Sequence, residues 1–167
     1  MPKLFSIGEV QKVLANLLRE RVSIRDIGSI LEILGDYGTL TRDPDILTEY
    51  VRQKLRRTIT KEFVPDGRAR VITLNPDLER TISEGIKQSD QGMHVVLEPT
   101  RIQELLSNIK QATDHFVNLG MTPMVITSPV IRRHVKDISE QVYSDLVVLS
   151  YNELEQDVEI ISDWMVS

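Results

Sequence analysis

Three histidines, His94, His115 and His134, are the side chains here best suited by type to ligate a metal or move a proton near neutral pH. Their placement argues against both roles. They fall on three different predicted elements, with no H-E-x-x-H motif and no pair at helical spacing. His115 follows Asp114 near a predicted helix end, where the helix dipole alone favours a side chain able to carry positive charge. The sequence has no cysteine, which excludes a disulfide framework, a thiol nucleophile and cysteine-ligated zinc or iron–sulfur. It has no G-x-S-x-G elbow, Walker loop or dinucleotide glycine fingerprint. Prolines 44, 76, 99 and 129 open predicted helices, but none of these starts carries the glycines that let phosphate approach backbone amides. No residue is assigned as catalytic, cofactor-binding or metal-ligating, and the expectation is a protein that is not an enzyme.

Charge narrows the partners. The 167 residues carry 20 basic and 25 acidic side chains, a net of −5, and the pI is 5.3. Residues 1–63 have a net of +2 and residues 64–167 a net of −7. Arg52, Lys54, Arg56 and Arg57 gather at the end of a predicted helix, where they suit its negative pole. Three short helices with RERVSIRD (19–26) between the first two also fit a helix-turn-helix nucleic-acid-binding regulator with an α/β module, and that alternative stays open. A protein neutralising several phosphates needs a clear basic excess, which is missing, so no nucleic acid is expected as partner. Retention on heparin at low salt separates the two readings. No apolar run reaches 18 residues, so nothing in the sequence is expected to span a membrane, and the N-terminus lacks a signal-peptide core, so the expectation is folding in the cytoplasm or a cytoplasm-like compartment.

The elements follow from periodicity. Ser6 and Glu9 form a capping box ahead of an apolar stripe of Ile7, Val10, Val13, Leu14, Leu17 and Leu18. Ser23 and Asp26 repeat the signal before Ile24, Ile27, Ile30, Leu31 and Leu34, with Gly35 as the stop. Asp43-Pro44 opens a third helix through Leu47, Val51 and Leu55. A break at Phe63–Gly67, with Pro65 and Asp66-Gly67, divides a helical subdomain (1–63) from an α/β subdomain (64–167). In the second part ARVITL (69–74), HVVLE (94–98), PMVIT (123–127), DLVVLS (145–150) and VEIIS (158–162) read as strands. The intervening helices open at Pro76, Pro99 and Ser128-Pro129, the first of them running through Leu78, Ile82 and Ile86. Strands separated by helices predict a mixed, largely parallel sheet, with the last two strands paired antiparallel across the acidic loop 152–157. The fold class is α+β. About 60 residues of helix bury too little surface to be robust alone, so the helical piece is expected to lean on its neighbour.

GEVQKVLANLL (8–18), LLRERVSIRD (17–26), DPDILTEYVRQKLRRTI (43–59), ITSPVIRRHV (126–135) and LSYNEL followed by VEIIS resemble, in that order, the export-gate proteins of flagellar and virulence type III secretion, the FlhA-type family. LSYNEL points to the flagellar branch. Members of the family carry a membrane block and a cytoplasmic domain of four subdomains, and this chain resembles the last two. The resemblance implies a fragment of a longer protein, Met1 being an added start. It implies no catalysis and no cofactor. It implies a soluble part of a protein at the cytoplasmic side of the bacterial inner membrane, in the flagellar basal body. Expected partners are further copies in a nonameric ring, the ATPase-stalk protein, chaperone–substrate complexes and other export-gate components. The chaperone cleft lies mainly in subdomains this chain lacks.

Two residue sets follow from that resemblance. Arg19, Glu20, Arg21, Arg25 and Asp26 alternate in sign at a helix junction, as a ring interface between unlike patches requires, although intrahelical pairing and capping account for them equally. Glu153, Glu155, Asp157 and Glu159 form an acidic edge for a basic coiled-coil stalk, against the plainer reading of a solubilising charge run.

Overall fold

The computed structural model describes residues 5–90 and 92–167. The chain divides into two compact units. One takes the chain up to Gly67 together with Asn152–Asp157, and the other holds Arg68–Tyr151 and Val158–Ser167. The segment 152–157, read from sequence as part of the α/β half, therefore packs with the helices.

In the helical unit, α1 (Ile7–Arg19) starts at Ser6 with both halves of the expected capping box. The Ser6 hydroxyl accepts from the Glu9 N–H at 3.1 Å, and the Glu9 carboxylate accepts from the Ser6 N–H at 3.3 Å. Helix α2 (Ile27–Tyr37) begins three residues later than expected. Asp26, not Ser23, is its cap, accepting from the Ser29 N–H and hydroxyl at 3.2 and 2.7 Å. Ser23 instead accepts from the Arg25 N–H in the preceding turn. The helix also runs through Gly35 and stops at Gly38. Gly38 has an ordinary right-handed backbone, so its glycine serves space: an added Cβ would overlap the Phe5 ring. The expected single third helix is two, α3 (Pro44–Lys54) and α4 (Arg56–Phe63), broken at Leu55. There the N–H is shared between the Val51 and Arg52 carbonyls, a tightening of the last turn that no proline or glycine announces. α1 and α2 both pack on α3, and Leu17, Ile30, Leu47, Val51 and Ile59 are fully buried.

The second unit is built on β1 (Arg68–Leu74), β4 (Met124–Thr127), β5 (Val147–Ser150) and β6 (Glu159–Val166), in the order β5-β4-β1-β6 with every pairing parallel. The predicted β5–β6 hairpin is thus overturned. The two strands lie on opposite edges, because the residues joining them are taken up by the helical unit. Asp163, Trp164, Met165 and Val166 are part of β6. Helix α5 (Pro76–Glu84) ends before Ile86, which opens a two-stranded antiparallel ribbon, β2 (Ile86–Ser89) and β3 (Gly92–Val95). Gly85 makes this possible: a Cβ there would meet the Val96 carbonyl at 2.9 Å, and its own carbonyl accepts from the Val96 N–H at 2.8 Å. α6 (Pro99–Asn118) follows, and Gly120 carries the positive φ of 73° that ends it. α7 (Arg132–Ser139) starts later than Ser128-Pro129, because residues 129–131 form a turn closed by the Ile131 N–H on the Ser128 carbonyl at 3.3 Å, while the Ser128 N–H goes to the Glu79 carboxylate at 2.9 Å. Leu78, Ile82, Ile109, Phe116 and Val135 from α5, α6 and α7 share one core with Ile72, Val125 and Val148 of the sheet.

The edges of this sheet are blunted by charge. Buried Arg132 donates to the Val148 carbonyl at 2.9 Å, and buried Lys136 donates to the Leu146 and Ser144 carbonyls at 2.7 and 3.0 Å, all on or beside β5. On β6, Glu159 pairs with Arg68 and Asp163 with Arg70.

The helix caps carry a pH signature. The Ser29 hydroxyl and N–H hold the Asp26 carboxyl below its ordinary value. The Ser6 N–H, ahead of the Ser6 hydroxyl and Arg42, does the same for Glu9. A lowered folded-state pKa gives stability that is present above the unfolded value, about 4 for a carboxylic acid, and lost as pH falls through the folded value. Asp26→Ala is therefore expected to lower the melting temperature at pH 7, with the gap to wild type closing as pH drops below about 4. A gap that persists at pH 2 would mean that cap charge is not the cause.

Candidate functional site

The five residues of the predicted ring set all lie at the α1–α2 turn, but they do not act as one group. Arg19, Arg21, Arg25 and Asp26 are exposed. Glu20 is turned inward, its side chain 8% exposed and 3.8 Å from the Arg52 guanidinium. The turn itself is a Schellman-type stop: the Val22 N–H bonds the Leu17 carbonyl and the Arg21 N–H bonds the Leu18 carbonyl, both at 2.9 Å. Such a stop needs a left-handed residue, usually glycine. Here it is Arg21, at φ 63°, the one positive-φ residue other than glycine among the described residues.

The acidic edge is divided as well. Glu153 is 1% exposed and grips Arg52 in a fork, with Oε2 on Nε and Oε1 on Nη2, both at 2.9 Å. It is a structural residue and is removed from any docking surface. Glu155 is half-buried, its N–H held by the Thr60 hydroxyl at 2.9 Å. Asp157 and Glu159 are exposed, Glu159 paired with Arg68 at 3.2 Å. The first three belong to the helical unit and Glu159 to the other.

Two features escaped the sequence. Arg52 was grouped with its basic neighbours, yet it is 1% exposed and bridges two carboxylates. The signal was its position four residues after Thr48, which is itself buried, on the inner face of α3. The other is apolar. Ile7, Leu18 and Ile27, assigned to the inner stripes, are 79%, 53% and 41% exposed. Six apolar positions within 12 residues are more than one helix face can bury, and only Val13 and Leu17 of α1 are fully buried. The histidines stay apart: His94 on β3, His134 buried on α7, and His115 on α6 against Trp164, ring centroids 4.8 Å apart.

The α1–α2 turn offers exposed charge on a strained backbone, which suits contact with another macromolecule. The FHIPEP family pattern matches residues 1–159 of the sequence. The chain belongs to the FHIPEP family. The flagellar biosynthesis protein FlhA of Bacillus subtilis is 40% identical over 162 residues, covering 96% of this chain and 24% of the relative. The chain thus spans about a quarter of the length of the curated relatives it matches. Among solved structures, the nonameric EPEC SctV-C superposes with a TM-score of 0.86 at 29% identity, covering 98% of this chain and 49% of that one. Chlamydia pneumoniae CdsV, in a structure of the CdsV and CdsO protein complex, gives 0.89 at 27%, covering 99% and 49%. The α+β architecture is therefore the one that the family's relatives share.

The Arg52–Glu153 fork makes a stability prediction. Removing one partner of a buried ion pair strands the other charge and costs about 3–5 kcal/mol. Glu153→Ala should lose about that much in urea unfolding, while Arg52→Met combined with Glu153→Leu should recover most of it. Equal losses in single and double variants would show that the fork is not what holds the segment.

Proposed function

We propose that this chain is an assembly and docking module of a type III protein export gate of the flagellar kind, acting without catalysis by associating with further copies of itself in a ring. The observation that carries the reading is the likeness, over nearly the whole chain, to SctV-C, a relative solved as a nonamer. The 40% identity to a flagellar FlhA supports the flagellar branch. No helix among the described residues is long and apolar enough to cross a membrane. Placement on the cytoplasmic side of the inner membrane rests on the family resemblance.

The α1–α2 turn is the first candidate for the ring contact. A non-glycine residue in the left-handed region costs about 1–2 kcal/mol, and such strain persists where the side chain has a use. Arg21→Gly is expected to stabilise the fold by about 1 kcal/mol and to weaken self-association measured by sedimentation. Arg21→Glu should weaken it further. A glycine variant that associates like wild type would remove Arg21 from the interface.

The second contact is with an ATPase-stalk protein through acidic residues, a reading supported by a relative that has been solved in complex with a second protein. With Glu153 committed to Arg52, and Glu159 in the other unit and paired with Arg68, the candidates are Glu155 and Asp157. Calorimetric titration with the stalk protein should show binding that weakens with salt. The double variant Glu155→Gln, Asp157→Asn should weaken it while unfolding at an unchanged temperature. Undiminished binding by the double variant would exclude these residues. Chaperone–substrate complexes are expected to be received by the larger assembly.

A further inference from the structure

The parallel sheet has two edges, and they are guarded unequally. At the β5 edge, buried Arg132 and Lys136 donate to the carbonyls of Val148, Leu146 and Ser144, so the backbone there already has partners. At the other edge stands β6, the longest of the four strands at eight residues. Its ion pairs, Glu159 with Arg68 and Asp163 with Arg70, both reach inward to β1. The outer side of β6 gains nothing from them. An open strand edge of this length is a template for pairing, which sheets ordinarily cover or interrupt.

The register decides which backbone groups face outward. Asn75, just past β1, donates its N–H to the Val166 carbonyl at 2.7 Å. Residues of a parallel strand turn alternately to one side and the other, so Trp164 faces β1 together with Val166. Ser162 stands opposite Val71 and Trp164 opposite Ile72, which makes Asp163 one extra residue, a bulge. Before the bulge, Ile161 and Glu159 face β1. That leaves Ile160, Ser162 and Met165, whose N–H and C=O groups point away from the sheet. β6 pairs with no strand but β1, and among the described residues no backbone bond outside that ladder reaches these three. Their side chains lie on one face and are open too: Ile160 is 38% exposed, Met165 54%, and Ser162 is exposed.

Such an edge is matched by one kind of ligand. Only extended backbone presents N–H and C=O groups at the spacing of outward residues on a strand, about 7 Å. A second copy of β6 fits badly, since pairing would gather the Glu159 and Asp163 carboxylates of two chains on one ladder and oppose two fixed bulges. An uncharged, flexible segment meets neither obstacle. We propose that β6 is a site of strand addition, where an extended, uncharged polypeptide segment with apolar residues at alternate positions joins the sheet as a fifth strand. The hydrogen bonds along Ile160, Ser162 and Met165 hold it, and its apolar side chains cover the face that Ile160 and Met165 leave open. This stands on the sheet alone and is independent of the ring and stalk readings.

The test uses the whole chain and a synthetic peptide of alternating valine and threonine, with a lysine at each end for solubility. Trp164, the only tryptophan of the sequence, lies in β6 and reports on it. Titration should change Trp164 fluorescence saturably, and amide exchange at Ile160, Ser162 and Met165 should slow by about tenfold or more at saturation. The same peptide N-methylated throughout keeps its side chains but cannot donate, and it should do neither. Ser162→Pro removes one outward N–H where an edge strand tolerates proline, and should weaken binding about tenfold with the sheet intact. An equal response to the methylated peptide would reduce the effect to apolar adhesion and overturn the proposal, whether or not the proline variant folds. Protection on β5 instead, or nowhere, would overturn the choice of edge. Protection of the three amides that rises with chain concentration, without peptide, would give the edge to a second copy and overturn the stated occupant.

Discussion

Arg52 decides where one piece of the chain belongs. Its guanidinium is buried, so it has lost the hydration that a charged group demands, at a cost of several kcal/mol. The fork to Glu153 and the nearby Glu20 carboxylate return enough to hold it there. Exposed pairs such as Arg68–Glu159, with side chains 72% and 59% exposed, contribute little by comparison. The buried fork joins residues 101 positions apart within the helical unit, and with the Thr60–Glu155 bond it draws the segment between β5 and β6 into that unit. The sheet follows from this. A chain that leaves β5 to complete another unit does not turn straight back into a hairpin, so β6 enters as a parallel strand on the far edge, beside β1. The helical unit, in turn, is not a separable N-terminal piece. Without Asn152–Asp157 it would keep a buried cation and lack that cation's best partner.

Local signals in the sequence were readable where one residue's own chemistry sets the structure. The Ser6–Glu9 box, the Asp43-Pro44 start and the helix starts at Pro76 and Pro99 are all found where the pattern places them. The α+β class followed from alternating strand and helix, and so did the parallel core strands. Local preference fails where a distant partner overrides it. Gly35 reads as a helix stop, but Gly38 is the glycine that matters, because the Phe5 ring needs its space. Ile86 continues a helical period, yet Gly85 lets Val96 approach and turns the chain into a ribbon. Glu153 looks like one charge in an acidic run until Arg52 is seen beside it.

The candidate surface was legible only in part, for a related reason. Periodicity counts apolar positions but does not say how many a helix can bury, so Ile7, Leu18 and Ile27 were absorbed into the core. Charge alternation at residues 19–26 marks the α1–α2 turn. It could not show that Glu20 is spent inside on Arg52, or that Arg21 holds a backbone shape that glycine would hold more cheaply.

These two kinds of residue explain how relatives 27–29% identical keep the same architecture. The fold depends on interior volume, caps and one buried ion fork, which many sequences can supply. Substitution at an exposed position away from such features usually shifts stability by no more than about 0.5 kcal/mol, so exposed Arg19 and Arg25 lie outside what the architecture demands, while buried Arg52 and Glu153 do not.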